Sequence, residues 1–222
     1  PVLGRRERDV RRGFTLPPKI GPGTLVDGAL HPGWTLDFLR NAPIRFANVV
    51  GHKEMDGSSP ITLAKKAANH FDQSLSWKDI DWIRSIWDGP IVLKGVQTVA
   101  DAKQAVAIGI QGVALSNHGG RQLDDAPVPL ELVEPVRDEV GDAIAVICDG
   151  GVRRGSDIVK AIALGADAVT IGRPYLYALG AAGERGVDHL LEFLRVGMER
   201  TMALTGARSV AEIDRALVRR RS

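Results

Sequence analysis

From residue 76 onward the chain alternates two hydrophobic patterns. Short, nearly continuous apolar runs recur at residues 91–96, 112–117, 143–149 and 168–172. Between them, apolar side chains return every three to four positions, the period of a helix buried on one face. The runs predict β-strands. The intervening stretches predict helices over 77–87, after Thr98, over 129–140 and from Ser156 or Asp157 to Leu164, with two more around 186–204 and 210–218. Capping chemistry agrees with these limits. Ser76 precedes the first helix with Asp79 in its opening turn, Thr98 stands three residues before Asp101, Gly89-Pro90 stops one helix and Gly165 ends another. Ala102, Ala105, Val106 and Ile108 form the apolar face after Thr98.

The strands begin near residues 90, 112, 143 and 168, intervals of 22, 31 and 25. Apolar strands alternating with helices at that spacing predict βα units and an α/β fold with a parallel sheet. An open doubly wound sheet and a TIM (β/α)8 barrel both satisfy it. The glycine fingerprint of dinucleotide-binding sheets follows none of the strands. Instead the last two strands end in Asp149-Gly150-Gly151-Val152-Arg153-Arg154-Gly155 and Gly172-Arg173-Pro174, and barrels commonly bind phosphate with the loops after strands 7 and 8. On that reading the chain supplies strands 5–8. Half a barrel would leave open edges and an uncovered inner face, so the chain is read as the C-terminal part of a longer polypeptide.

Residues 1–75 break the pattern. Pro17, Pro18, Pro22, Pro32, Pro43 and Pro60 interrupt any long period, with short helices expected over 34–40 and 61–69. The expected organisation is therefore a segment 1–75, containing the end of a fourth strand and a long excursion loop, followed by the half-barrel 76–222. Excursions this long within a compact domain usually carry function.

Composition narrows the choices. The 222 residues include 29 Lys+Arg against 27 Asp+Glu, a net charge of +2 with both signs spread along the chain. Nothing there calls for a nucleic-acid partner. A single cysteine, Cys148, excludes an internal disulfide framework. No apolar run approaches the roughly 20 residues of a membrane span, and no signal-peptide pattern is visible; a cytoplasmic protein is expected.

The candidate chemistry sits where strands end. Gly150, Gly151 and Gly172 would let backbone amides approach phosphate oxygens, and Arg153 and Arg173 could add charge-assisted bonds; ordinary tight turns are the plainer alternative. Ser116-Asn117-His118-Gly119-Gly120-Arg121 follows the second strand. His118 there could act as a base near neutral pH, and Arg121 offers a fork that fits a carboxylate. Lys94 closes the first strand at the same end, either to stabilise an anion or as a snorkelling strand-end lysine. Arg5 and Arg6 read, on charge alone, as a solvated basic turn. His31, His52, His70 and His189 lack metal-ligand spacing, and no metal is assigned. Trp77, Trp82 and Trp87 are expected to pack, and residues 180–186, rich in glycine, to form a loop.

Taken together these segments resemble the FMN-dependent α-hydroxy acid dehydrogenase/oxidase family. The matching text is Gly4-Arg5-Arg6-Glu7-Arg8-Asp9, Ser76-Trp77-Lys78-Asp79, Leu93-Lys94-Gly95-Val96, Ser116 to Asp124, Asp149 to Gly155, Ala163-Leu164-Gly165-Ala166 and Ile171-Gly172-Arg173-Pro174, in order from Pro1 to about Ile213. The resemblance implies that His118 is the active-site base and that Arg6 and Arg121 hold the substrate carboxylate. It implies that Lys94 lies near the flavin N1–C2=O edge and stabilises the anionic reduced ring, and that Ser116 contacts the flavin. Asp149, Gly150, Gly151, Val152, Arg153, Gly172 and Arg173 would hold the ribityl chain and phosphate. The implied reaction oxidises an L-2-hydroxy acid to a 2-oxo acid, with two electrons passing to FMN. The family also carries an Asp two positions before the equivalent of Pro1, which partners the catalytic histidine; with that residue and the early strands outside these 222, activity is expected to require the N-terminal half.

Residues 30–39 and 69–79 look closest to the respiratory lactate and mandelate dehydrogenases of the family. That similarity implies L-lactate as substrate, a quinone or cytochrome as electron acceptor, and peripheral attachment on the inner face of the plasma membrane through Trp34, Phe38 and Leu39, unless that helix packs on the barrel or a neighbouring subunit. A homo-oligomer, tetrameric by analogy, is implied as well. The rival readings are an oxygen-dependent hydroxy acid oxidase of the same family, another phosphate-binding barrel such as an FMN-dependent isomerase, and an inactive C-terminal fragment.

Overall fold

The computed structural model describes Arg11, residues 21–41, Asp72 and residues 74–219. The chain forms two compact units, Pro1–Arg84 and Ser85–Ser222. In the first, Pro22 and Pro32 open helices α1 (Pro22–Leu30) and α2 (Pro32–Arg40). Proline's fixed φ and missing N–H suit a first helical turn, so residues that interrupt the periodicity begin helices here. The helix expected over 34–40 is α2, starting two residues earlier, whereas α1 is a helix that periodicity alone does not reveal. His31 ends one and starts the other, and the Thr35 hydroxyl donates to the Gly28 carbonyl at 2.8 Å. Trp34 and Phe38 stack with centroids 5.2 Å apart, yet Trp34 stays 61% exposed and Leu39 72%. The helix expected over 61–69 lies outside the described residues.

Helix α3 (Lys78–Ile86) spans the division between the units. The Ser76 amide donates to the Asp79 carboxylate at 2.5 Å, the reach-back half of a capping box. The tryptophans, expected to pack, keep much of their surface exposed: Trp82 and Trp87 are both exposed, Trp87 with its ring against Gly89. Ile80 is the buried side chain of α3, and Trp82 lies about 200° around the helix from it.

The second unit is a four-stranded, all-parallel sheet in the order β1 (Val92–Val96), β2 (Gly112–Leu115), β3 (Ala145–Asp149), β4 (Ala168–Thr170). Helices α4 (Val99–Ala107), α5 (Pro129–Val140) and α6 (Gly155–Ala163) fall between successive strands. This is the succession of βα units expected, covering part of a barrel. Burial alternates along β3, with Val146 and Cys148 buried and Ala145 exposed. One face therefore packs on the helices through Val133, Val136, Ala102 and Ala105, all fully buried. Each such valine is worth roughly 1.5–3 kcal/mol of burial. The other face carries the polar side chains taken up below.

The expected Thr98 cap forms, whereas α6 opens at Gly155 after Arg154, ahead of the Ser156 or Asp157 expected, with Asp157 reaching back from its first turn. Thr98 Oγ1 accepts the Asp101 amide at 3.0 Å, and Asp157 accepts the Arg153 and Arg154 amides at 3.0 Å each. Away from the strand C-termini, Arg137 gathers the opposite end of the sheet. Its guanidinium donates to the carbonyls of Gly165 (2.8 Å) and Gly141 and to the Asp167 carboxylate, which also accepts the Val146 amide at 2.7 Å. A Cβ at Gly165, whose φ is +109°, would meet Arg137 Cγ at 2.7 Å.

The C-terminal region differs from expectation twice. The break expected over 180–186 is shorter than a seven-residue loop: within the span α7 (Arg173–Thr205) only Ala182 and Gly183 leave helical geometry, and they divide it into two helices. Gly183 supplies φ +60°, and Gly186 lets the chain close on the Ala178 carbonyl, where a Cβ would sit at 2.1 Å. Residues 210–218 form two short 3-10 turns, Val210–Glu212 and Arg215–Leu217, instead of one helix. Asp214 accepts the Ala216 amide at 2.9 Å and starts the second turn afresh. Ile213, between the turns, packs with Val159, Ala163 and Ala207.

Candidate active site

Ser116 follows β2 and is fully buried. Its hydroxyl is used completely: it donates to Asp149 Oδ2 at 2.5 Å and accepts the Lys94 ammonium at 3.1 Å and the His118 amide at 3.0 Å. Asn117 builds the next step of the turn. Its side-chain oxygen accepts the Gly119 amide at 3.0 Å and the Gly120 amide at 3.3 Å, while its Nδ2 donates to the Pro127 carbonyl at 3.2 Å. Asparagine commonly organises turns this way. Between them His118 takes φ +53°, a left-handed conformation uncommon outside glycine and held here by the amides on either side.

The His118 ring lies against β1. An added Cβ at Gly95 would be 2.8 Å from His118 Nε2, and Gly95 has φ +95°. The β1–β2 register slips between Lys94 and Val96, so Gly95 forms a bulge that both turns the strand and leaves room for the imidazole. Gly95→Ala is expected to fold but to push the ring out of place, reducing any His118-dependent rate at least about tenfold, as misplacements of about 1 Å do. Comparing the rates of the purified variant and the parent, with circular dichroism confirming the fold, checks this.

Lys94 reaches from β1 across the open face to Asp149, forming an ion pair with it beside Ser116. Burial of the Asp149 carboxyl opposes ionisation, but hydrogen bonds from Lys94, Ser116 and Thr170 outweigh that and hold it below the usual aspartate value. His118 is held below the ordinary imidazole value first by partial burial and then by the Lys94 charge; Asp149 pulls the other way, and the Arg121 charge adds to the lowering. The site thus favours a neutral imidazole, with the charges of Lys94 and Arg121 both acting on it. Arg121 is exposed and close enough for its charge to bear on the ring.

The next two strand ends form an open cradle. Gly150 and Gly151 have φ +98° and +80°, and a Cβ at either, or at Gly172, would meet nothing within 4 Å. Val152 is buried, so only its backbone could face a ligand. Arg153 precedes α6 and Arg173 opens α7. Arg173 leans toward the histidine turn, its Nη2 3.2 Å from where a Gly119 Cβ would be. The Gly150 amide already donates to the Thr170 carbonyl at 3.2 Å, so the donors these loops offer a phosphate are the Gly151 and Gly172 amides with the Arg153 and Arg173 guanidinia.

The structure thus gathers Lys94, Ser116, His118 and Asp149 into one cluster, with Arg121 and Arg173 beside it and Gly150, Gly151, Arg153 and Gly172 in the adjoining loops. Arg6 lies outside the described residues. Two contributors escape sequence reasoning. Gly95 carries a signal, since glycine inside an apolar strand marks a bulge or close approach. Thr170 carries none, because its hydrogen bond to Asp149 depends on the register of β3 with β4.

The family model for FMN-dependent dehydrogenase matches residues 1–220. Among curated proteins, the chain is 42% identical over 217 residues to an L-lactate dehydrogenase of Chromohalobacter salexigens, covering 96% of this chain and 54% of that protein. It is 43% identical over 217 residues to an L-lactate dehydrogenase of Azorhizobium caulinodans, covering 97% and 56%. Among solved structures, it is similar to the monotopic membrane protein (S)-mandelate dehydrogenase, with a TM-score of 0.89 and 39% identity over 97% of this chain and 57% of that one. The chain spans about half the length of the curated relatives it matches.

Proposed function

Because the chain belongs to the FMN-dependent dehydrogenase family, we propose that its cluster of strand-end residues serves the FMN-dependent oxidation of an L-2-hydroxy acid, L-lactate, to the 2-oxo acid. The observation that carries this reading is His118, its ring against Gly95 of β1 and its amide on Ser116, kept neutral-leaning by burial and by the Lys94 and Arg121 charges, next to an unobstructed glycine–arginine cradle. Oxidising a 2-hydroxy acid releases two electrons and two protons from a substrate that keeps its carboxylate. A base, a cationic fork and an electron acceptor are needed within one pocket.

The residues present fit FMN. The cradle of Gly150, Gly151, Gly172, Arg153 and Arg173 suits its phosphate, and a Cβ at any of the three glycines would intrude on open space that a phosphate could use. Asp149 to Arg153 would hold the ribityl chain as well, with Ser116 and Lys94 toward the ring system. When bound, FMN supplies the two-electron acceptor. Arg121, with Arg6, would bind the substrate carboxylate through paired N–H groups. His118 takes up a proton released from the substrate, and its depressed basicity keeps the imidazole neutral and ready at physiological pH. Lys94, held by Asp149 and Ser116, keeps a positive charge fixed where negative charge develops. These units correspond to strands 5–8 of the barrel.

The exposed apolar side chains of α1 and α2 support a peripheral membrane position, in keeping with the monotopic neighbour. No helix among the described residues is long and apolar enough to cross a membrane. A membrane position would bring a quinone or a membrane-bound cytochrome within reach as the electron acceptor.

The test is the visible spectrum of the purified whole polypeptide, these 222 residues joined to or complemented by the N-terminal half, under anaerobic conditions, before and after L-lactate. A flavin band that bleaches is expected. A colourless protein overturns FMN binding, and a flavin band indifferent to L-lactate overturns the substrate. Peroxide formed in preference to quinone reduction would point to the oxidase instead.

A further inference from the structure

Thr170 ends β4 on the rung of Asp149, and its hydroxyl donates to Asp149 Oδ1. The second oxygen, Oδ2, takes the Ser116 hydroxyl and the Lys94 ammonium. Three donors from three other strand segments thus divide one carboxylate between them. We propose that Thr170 is a positioning residue of this site: by anchoring Oδ1 it aims Oδ2 at Ser116 and Lys94, and through the Ser116 hydroxyl it fixes the turn that carries His118. The proposal rests on the roles given above to His118 and Lys94.

The need for an anchor follows from the side chain. The terminal torsion of aspartate is broad and roughly two-fold, so a carboxylate held only at Oδ2 rocks about its axis. Ser116 has one proton to give. Its two other positions already accept Lys94 and the His118 amide, so that proton has to go to Asp149. If the carboxylate turns away, the buried hydroxyl loses its acceptor and must rotate. Rotation releases the amide of His118, a non-glycine residue at φ +53° that stays there only while its surroundings over-determine it. Thr170 also accepts the Gly150 amide through its carbonyl at 3.2 Å. That bond ties the same residue to the cradle loop and survives any change of side chain.

Thr170→Val removes the hydroxyl and keeps the branched shape; Thr170→Ser restores the hydroxyl. In the valine variant the Asp149 carboxyl, followed by carbon NMR as pH is lowered, should protonate at higher pH than in the parent, because a hydrogen bond to its charged form is gone. The His118 amide should exchange with solvent about two- to tenfold faster, the range one lost hydrogen bond commands. In the FMN-loaded protein, the maximal rate of bleaching by L-lactate should fall by a similar factor, with the half-saturating concentration changing less. All three should return toward parent values in Thr170→Ser. Thr170→Ala serves if the valine variant does not fold.

An unchanged Asp149 titration and His118 exchange would overturn the proposal. So would changes in both that leave the bleaching rate intact, since Thr170 would then shape the site without serving it. A general loss of stability is told apart by the serine variant, which should restore the local signals. If the parent itself fails to bleach while Asp149 and His118 still respond to the valine variant, the hydroxy acid reading fails and the Thr170 linkage stands.

Discussion

His118→Asn is expected to slow L-lactate-driven bleaching about 10²- to 10⁴-fold, the range a positioned general base contributes, while FMN stays bound. Asparagine is the informative replacement. The residue sits at φ +53°, which asparagine tolerates better than most side chains, and the bond from its amide to Ser116 is a backbone feature that the change leaves in place. The cradle glycines and arginines are separate from the ring. The loss would therefore report the imidazole rather than a collapsed turn. Stopped-flow absorbance measures it, and a variant within twofold of the parent would remove His118 from the role of base. The pH profile gives an independent check. Partial burial, the Lys94 charge and the Arg121 charge all lower the imidazole's proton affinity, and Asp149 only partly opposes them. The group stays neutral to lower pH than an ordinary histidine, so the acid limb of kcat/KM should fall below the usual imidazole value of about 6.5.

Gly155→Ala should be the most damaging small change in the second unit. The substitution would ordinarily favour a helix by up to about 1 kcal/mol. Here a Cβ would lie 2.0 Å from the Met198 nitrogen, 2.2 Å from the Gly197 carbonyl carbon and 2.5 Å from the Leu194 oxygen. All three are backbone atoms of α7, so no side chain can step aside and the helices must part. A loss beyond about 3 kcal/mol, above the usual over-packing cost, would lower the melting temperature by roughly 6–12 °C in a domain of this size. Gly180→Ala provides the contrast: a Cβ there meets nothing within 4 Å, so helix propensity should leave it neutral or slightly stabilising. Urea unfolding of the two variants beside the parent decides the matter. If Gly155→Ala matched Gly180→Ala, the close crossing of α6 and α7 would be wrong.

How far the fold and the site can be read from the amino-acid sequence depends on the range of the interactions. Residues 129–140 are predicted with the limits that α5 has, because Pro129 opens the helix and the apolar positions repeat every three to four residues. The Thr98–Asp101 cap is equally legible, being settled within four residues. Residues 180–186 are only partly legible: the glycine cluster marks the break at Ala182 and Gly183, but not that helix persists on both sides of it or that Gly186 closes on Ala178, which is a matter of packing. Pro22 misleads: proline breaks a helix interior but begins a first turn. In the site, strand ends and residue type are enough to single out His118, Arg121 and Lys94. They are not enough to give the mutual arrangement. The bonds of Asp149 to Lys94, Ser116 and Thr170 join residues 55, 33 and 21 positions apart, and only strand register brings them together.

Cys148 faces the helices from β3 and is almost fully buried. Burial, and then the neighbouring Asp149 charge, push its thiol up to about 11. Thiolate is the reactive form, so in the closed fold the chain behaves toward alkylating reagents as if it had no cysteine, although it has one. Labelling of that sulfur can proceed only when β3 opens away from its helices. Its rate is therefore an internal gauge of how often the strand that carries Asp149 comes loose. The gauge needs no engineered probe, and a cysteine placed anywhere on the surface would be modified long before it registers.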